Sequence, residues 1–327
     1  MMIFLYFILL ISSFVVLFKC AEKLVDGASG IANVLNIPKM IVGIVLVALA
    51  TTAPEFGVSV QAAFLGHPEI ALGNAIGSVI CDDGIALALA AIIAPVAIFV
   101  NCRLLKIVGL FLLSIDVLAY FLAKNGTLGR LEGLLFLFIL AVYFIFLIKK
   151  RSSGLNKETE ETGIDDGKKE KNPSRKARLK KPALLFTGGI VGVIVSSRIV
   201  LWASINIASY FGISETIIGL TVIAIGTSLP EISTCITAAR KGEGEIAVGD
   251  IIGADILNIL WIIGASCVVN PITVDLDVIN FTFPYMILIV AVMLGGMRIG
   301  CRLGKLKGFI LLVLYIFYLY LTLTYFI

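Results

Sequence analysis

The chain has 327 residues, 59% of them hydrophobic and only 15% charged, and its mean hydropathy is +1.06. A soluble domain could not cover that much apolar surface, so the composition describes a polytopic membrane protein. The net charge of +4 comes from Lys and Arg placed mainly in short loops and one linker; this is the pattern of membrane topology and not a nucleic-acid signal.

In chain order, Met1 to Phe18 is too long and lacks the basic start of a cleavable signal, so it reads as the beginning of the first span. Ten apolar segments follow from the pattern, at 2–34, 38–64, 69–99, 104–123 and 129–149, then 183–210, 215–240, 245–271, 277–296 and 304–326. A helix needs about 20 apolar residues to cross a bilayer core. The second and third segments of each group are longer and carry Pro or Gly-polar interruptions, which predicts broken helices. Residues 150–181 have almost no large apolar side chain and read as a solvated linker, too short for a domain with its own core. The expected organisation is a first five-helix unit over 1–149, the linker over 150–181 and a second five-helix unit over 182–327. The six cysteines have no metal spacing and lie mostly within or beside apolar spans, so they read as small buried side chains.

Loop charge sets the orientation. With the linker in the cytoplasm, its side holds Lys39, Arg103, Lys106, Arg240, Lys241, Arg298, Arg302, Lys305 and Lys307, and the other side only Lys124 and Arg130. Both termini then face outward. Five spans per half also turn the second half upside-down relative to the first. The predicted fold is an all-α polytopic membrane protein with ten transmembrane helices in two inverted five-helix repeats, helices 2, 3, 7 and 8 being broken.

The sequence itself repeats. GIVLVALATTAPEFG from Gly43 has its second copy in GLTVIAIGTSLPEIS from Gly219, and the match continues without a gap at an offset of 176 residues. Thr51 answers to Thr227, Thr52 to Ser228, Pro54 to Pro230 and Glu55 to Glu231; Asn74 answers to Asp250, Ser78 to Ala254 and Asp82 to Asn258. Such fidelity across two polar membrane segments means two equivalent half-sites around one centre.

A carboxylate at mid-membrane costs about 2.5–3.5 kcal/mol even on forgiving scales. No Lys or Arg lies beside Glu55, Glu231 or Asp82 in these segments, so a proton or a bound cation must offset the charge. Carboxylates, hydroxyls, an amide and carbonyls are the donors of hard cations such as Ca²⁺ and Na⁺. Pro54 and Pro230 cannot donate to the carbonyls four residues back, which leaves oxygens near Ala48, Ala50, Ala224 and Gly226 to face an ion. Ser78 and Asp82 share a helix face, as do Ala254 and Asn258, and glycines 73, 77, 249 and 253 allow close helix packing. A single Ser or Thr, such as Ser59 or Thr237, would only bond its own backbone.

These residues closely resemble the two α-repeats of the cation/Ca²⁺ antiporter superfamily, in its prokaryotic sodium/calcium exchanger branch. GTSLPE at 226–231 and GNAIGS at 73–78 match the family words, and the resemblance covers all but the linker. It implies a membrane antiporter, not an enzyme, that exchanges Na⁺ for Ca²⁺ by alternating access and needs no cofactor. Its partners would be the two ions and the lipid bilayer, with no nucleic acid, and it would act as a monomer. Carried over by position, Glu55 and Glu231 are the central ligands. Thr51, Thr52, Ser78, Asp82, Thr227, Ser228, Asn258 and the backbone of Ala48 and Ala224 complete the sites. The first and sixth spans would slide against the rest. The chain departs from the family in ATTAPE for GTSxPE, in Ala254 where serine is common, and in an exchange of acid and amide between Asp82 and Asn258. Asp250 and Asp255 replace frequent asparagines and are expected at a passage mouth or a solvated helix end.

The alternative reading is an H⁺-coupled exchanger of the same fold, since clustered acids also carry protons. A passive channel fits broken repeats poorly, and an ATP-driven pump lacks a phosphate-binding motif. Glu22 and Arg198 sit 176 apart and either pair or reach the span ends separately. His67 reads as a turn residue, and Trp202 and Trp261 as packing or interface anchors.

Overall fold

A computed structural model describes residues 2–154, 175–211 and 224–325. They are almost entirely helical. Helix α1 (Met2–Leu35) is followed by α2 (Lys39–Thr51), which bends by 47° at Thr52 into α3 (Ala53–Phe64). Then come α4 (Pro68–Ile93), α5 (Cys102–Ala123) and α6 (Arg130–Gly154). The second half holds α7 (Arg175–Tyr210), α8 (Ala224–Thr227), α9 (Leu229–Arg240), α10 (Gly244–Val269), α11 (Val278–Cys301) and α12 (Lys305–Tyr325). Among the described residues, eight helices are long and apolar enough to cross a membrane, or nine if the bent α2–α3 pair is one span. Ten were expected. The first part of the segment at 215–240 lies outside the described residues, as does most of the linker. Helix α6 runs on to Gly154 and α7 begins at Arg175, so both helices reach into the segment 150–181.

The repeat reappears residue by residue in the secondary structure. Ala48–Thr51 is matched by Ala224–Thr227, Ala53–Phe64 by Leu229–Arg240, and Pro68–Cys81 by Gly244–Leu257, each 176 residues on. Wider π-type turns begin at Asp82 and at its mate Asn258. The breaks fall at Thr52 and Ser228, just ahead of Pro54 and Pro230 near the first position of the next helix, where proline's missing N–H costs nothing.

The two central spans are α4 and α10: 72% and 83% of their apolar windows are buried, against 11% for α1 and 17% for α12. α2 crosses α10 at backbone contact. A Cβ added to Gly43 would meet the Ile246 carbonyl oxygen at 2.6 Å, and one on Gly253 would meet that of Ile44 at 2.6 Å. α1 and α7 pack along each other through Gly27, Gly189 and Gly192, which lie against Phe186, Leu24 and Cys20.

Two short antiparallel ladders tie the ends of the spans. Ile98–Phe99 pairs with Arg302–Leu303, and Thr127–Leu128 pairs with Ile272–Thr273. Beside the first ladder, Cys102 and Cys301 form a disulfide across a sequence separation of 199. This corrects the expectation of unpaired small side chains for two of the six cysteines. Cys81, Cys235 and Cys267 are buried and free as expected, and Cys20 is half-buried and free.

Candidate functional site

The two helix breaks face each other across α4 and α10. The Ser78 hydroxyl donates to Glu55 Oε1 at 2.8 Å, and the Ser228 hydroxyl lies 3.2 Å from the same oxygen. Thr52 donates to Glu231 Oε1 at 3.4 Å. The last two contacts are repeat mates: each half's break residue reaches the other half's glutamate. Glu55 and Glu231 lie within electrostatic reach of one another, and Asp82 of both. Asn258 faces Glu55.

All of these side chains are fully buried. Glu55 Oε2, Glu231 Oε2, both oxygens of Asp82 and both amide atoms of Asn258 have no hydrogen-bond partner among the described residues. Phe56, next to Glu55 in the chain, stacks on Trp261 of α10 at 4.0 Å, so that tryptophan is a packing residue. Trp202 is half exposed and meets Tyr6 edge-on, as an outer anchor.

The structure therefore brings Glu55, Glu231, Asp82, Asn258, Ser78, Thr52 and Ser228 into one buried cluster. Thr51 is there too, its hydroxyl 3.1 and 3.2 Å from the carbonyls of Val47 and Ala48 and 3.2 Å from Asp250 Oδ1. The Ala48 carbonyl, expected to stand open, accepts the regular helical bond from the Thr52 N–H at 2.9 Å, and a carbonyl keeps a second lone pair for an ion; the carbonyl opposite Pro54, that of Ala50, is the one that loses its N–H donor. Thr227 and Ala224 lie on α8 before the second break.

Several sequence readings are corrected. Asp250 and Asp255 are fully buried, at neither a passage mouth nor a solvated end, because α10 is enclosed along most of its length. Glu22 and Arg198 are both exposed, and the ion pairs among the described residues are Lys39–Glu243 and Lys241–Asp26, each at 2.6 Å. Repeat-matched positions on α1 and α7 thus face outward instead of pairing. Ser59 is buried and accepts from Asn74 Nδ2 at 2.9 Å, so it links α3 to α4.

Sequence reasoning misplaced Asp255 and passed over the two acids grouped with it, Asp83 and Asp116. Asp83, Asp116 and Asp255 are fully buried, with all six carboxylate oxygens unpartnered among the described residues. Asp255 is within electrostatic reach of Asp83, Asp116, Glu55 and Asp250. A lone acid in an apolar span, as Asp116 is in α5, was the available signal. No lysine, arginine or histidine is buried among the described residues, so nothing basic offsets these seven acids.

A bundle of apolar spans around unpaired carboxylates, with α2–α3 and α8–α9 broken at the same register beside the unbroken α4 and α10, defines a polytopic membrane transporter. The family model described as "Sodium/calcium exchanger protein" matches residues 5–149 and 181–324. The chain belongs to the sodium/calcium exchanger family. It is 34% identical over 310 residues to the putative antiporter CaxA of Alkalimonas amylolytica, covering 94% of this chain and 95% of that one. It is 28% identical to the sodium/calcium exchanger MaX1 of Methanosarcina acetivorans, covering 97% of this chain and 98% of the relative. A solved structure of the sodium-calcium exchanger NCX_Mj superposes with a TM-score of 0.81 at 25% identity, over 96% of this chain and 98% of that one. Family and fold are those of cation/Ca²⁺ exchangers, not of enzymes.

Proposed function

We propose that the protein is a secondary antiporter exchanging Na⁺ for Ca²⁺ across a cell membrane by alternating access. The observation that carries this reading is the reciprocal pair of contacts, Thr52 to Glu231 and Ser228 to Glu55. It makes one centre from both halves, with oxygen donors around acids that no base neutralises. Ca²⁺ takes six to eight oxygens, and Glu55, Glu231, Asp82, Asn258, Ser78, Thr51, Thr52, Thr227, Ser228 and the carbonyls of Ala48 and Ala224 supply hard-cation donors in excess of that number. Charged and empty, this centre is costly inside a membrane. Filling it with either ion lowers the cost of reorienting, so ions cross in exchange and without ATP.

In this reading the halves 1–149 and 182–327 are inverted repeats of five spans each, joined by a cytoplasmic linker, with both termini outside and the monomer as the working unit. The long outer helices α1 and α7 slide against the remainder. Glu55→Gln removes one central charge while keeping the side chain's size. It is expected to abolish Ca²⁺ uptake driven by a Na⁺ gradient in proteoliposomes; normal uptake would sink the assignment.

The alternative is an H⁺-coupled Ca²⁺ or cation exchanger of the same fold. The observation that favours it is the additional group Asp83, Asp116 and Asp255 beside the centre. Isotope flux with Na⁺ and pH gradients imposed separately decides between them: uptake driven by a pH gradient in Na⁺-free buffer selects the second.

A further inference from the structure

The two half-sites are built on matched backbones but are not decorated alike. In the first, Ser78 donates to Glu55 at 2.8 Å. Its mate in the second is Ala254, which has no hydroxyl to offer Glu231. One turn earlier on the same face of α10 stands Asp250, whose mate is Asn74.

Asn74 is half-buried and spends its amide on Ser59. Asp250 is fully buried and does something different. Its Oδ1 lies 3.2 Å from the Thr51 hydroxyl, its Oδ2 has no hydrogen-bond partner, and it is within electrostatic reach of Glu231. Thr51 and Thr52 both lie against Glu231, so Thr51 stands between the two carboxylates.

The close crossing of α2 and α10 fixes this position: a Cβ on Gly43 would come within 2.9 Å of the Asp250 backbone nitrogen. A carboxylate so placed, with a free oxygen and no buried base near it, has the donor chemistry that a hard cation takes.

We propose that Asp250 is a cation ligand of the Glu231 half-site, its carboxylate standing in for the hydroxyl that the repeat lacks at Ala254. It gives the exchange centre a fourth carboxylate beside Glu55, Glu231 and Asp82, so that each half supplies two, Glu55 with Asp82 and Glu231 with Asp250. The proposal rests on reading the cluster as an ion-binding centre.

The test is equilibrium binding of radiolabelled Ca²⁺ to the purified full chain in detergent, with Na⁺ as competitor. Asp250→Asn keeps the size and an acceptor for Thr51 but removes the charge. It is expected to weaken Ca²⁺ binding by about tenfold or more, a tenfold change being about 1.4 kcal/mol. Adding Ala254→Ser to that variant restores a ligand oxygen and recovers part of the loss.

Asp250→Glu keeps the charge and is the second arm if the amide variant does not fold; it is expected to bind Ca²⁺ more tightly than Asp250→Ala. If Asp250→Asn binds Ca²⁺ as tightly as the unaltered chain while Asp250→Ala does not, Asp250 only positions Thr51 and the proposal is overturned. Equal binding by the Glu and Ala variants overturns it too. Binding is read without transport. A chain that binds through Asp250 but shows no Na⁺-coupled flux would defeat the exchange mechanism and leave this assignment standing.

Discussion

Gly249 tests how closely the two repeats must approach. A Cβ there would lie 2.3 Å from the Met40 carbonyl oxygen and 3.1 Å from the Gly43 Cα. Both obstacles are backbone, so no side chain can swing aside. Nonbonded heavy atoms settle near ~3.5 Å, and Gly249→Ala must therefore drive α2 and α10 apart by roughly 1 Å. α2 carries Thr51, whose 3.2 Å contact with Asp250 would open. It also leads through the break at Thr52 into Glu55, which would move against Ser228 and Asn258. A misplacement of about 1 Å in a preorganised site costs on the order of 100-fold in rate, and overpacking costs about 1–3 kcal/mol in stability. Helix propensity acts the other way, favouring alanine by about 1 kcal/mol. Gly188→Ala isolates that opposing effect, because Gly188 is exposed and nothing among the described residues lies within 4 Å of its Cβ position. The assay is Ca²⁺ uptake driven by a Na⁺ gradient in proteoliposomes, with thermal unfolding measured in parallel. Gly188→Ala should transport normally and Gly249→Ala should be slower by about 100-fold. Unaltered uptake by Gly249→Ala would refute the reasoning.

Other predictions concern single contacts. Ser78→Ala removes the 2.8 Å donor to Glu55; a buried bond to a charged group contributes about 1.5–3 kcal/mol, so Ca²⁺ affinity should fall about 10- to 100-fold, and unchanged binding would show that Ser78 does not hold the glutamate. The Cys102–Cys301 bridge joins the two halves. With a protease site introduced between residues 155 and 174, the halves of the purified, mildly oxidised protein should migrate together on a denaturing gel without reductant and apart with it; separation of the oxidised halves without reductant would exclude the bridge.

The repeat was legible because its marks are residue types with one dominant structural use. Proline near a helix start and acids in apolar surroundings leave little choice, so the breaks at Thr52 and Ser228 fall where Pro54 and Pro230 place them. The disulfide was not legible: Cys102 and Cys301 belong to different halves, and only the pairing of Ile98–Phe99 with Arg302–Leu303 brings them together. Asp250 was misjudged because its exposure depends on what covers α10, and that cover is the glycine crossing with α2. Glu22 and Arg198 show the limit of matching by offset. The repeat relates their positions along the chain but not the faces that their helices turn outward.

The cross-repeat contacts also limit what can move. Thr52 holds Glu231 and Ser228 holds Glu55, so shifting α2–α3 against α8–α9 would disturb both glutamates at once. The pair α1 and α7 is not bound by that constraint. The two helices pack tightly on each other, and α1 is the least buried of the membrane-length helices. One end of α1 is held to the α9–α10 turn by Lys241 on Asp26 at 2.6 Å and by Ser29 on Glu243 at 2.8 Å. Exposed ion pairs contribute only about 0.2–1 kcal/mol, too little to prevent α1 from moving against that turn. A cross-link tests this. Asp26→Cys with Lys241→Cys, joined by a short bifunctional reagent, would fix α1 to the turn and should stop uptake until the tether is cleaved. Full uptake with that tether in place would mean that α1 does not move relative to the α9–α10 turn.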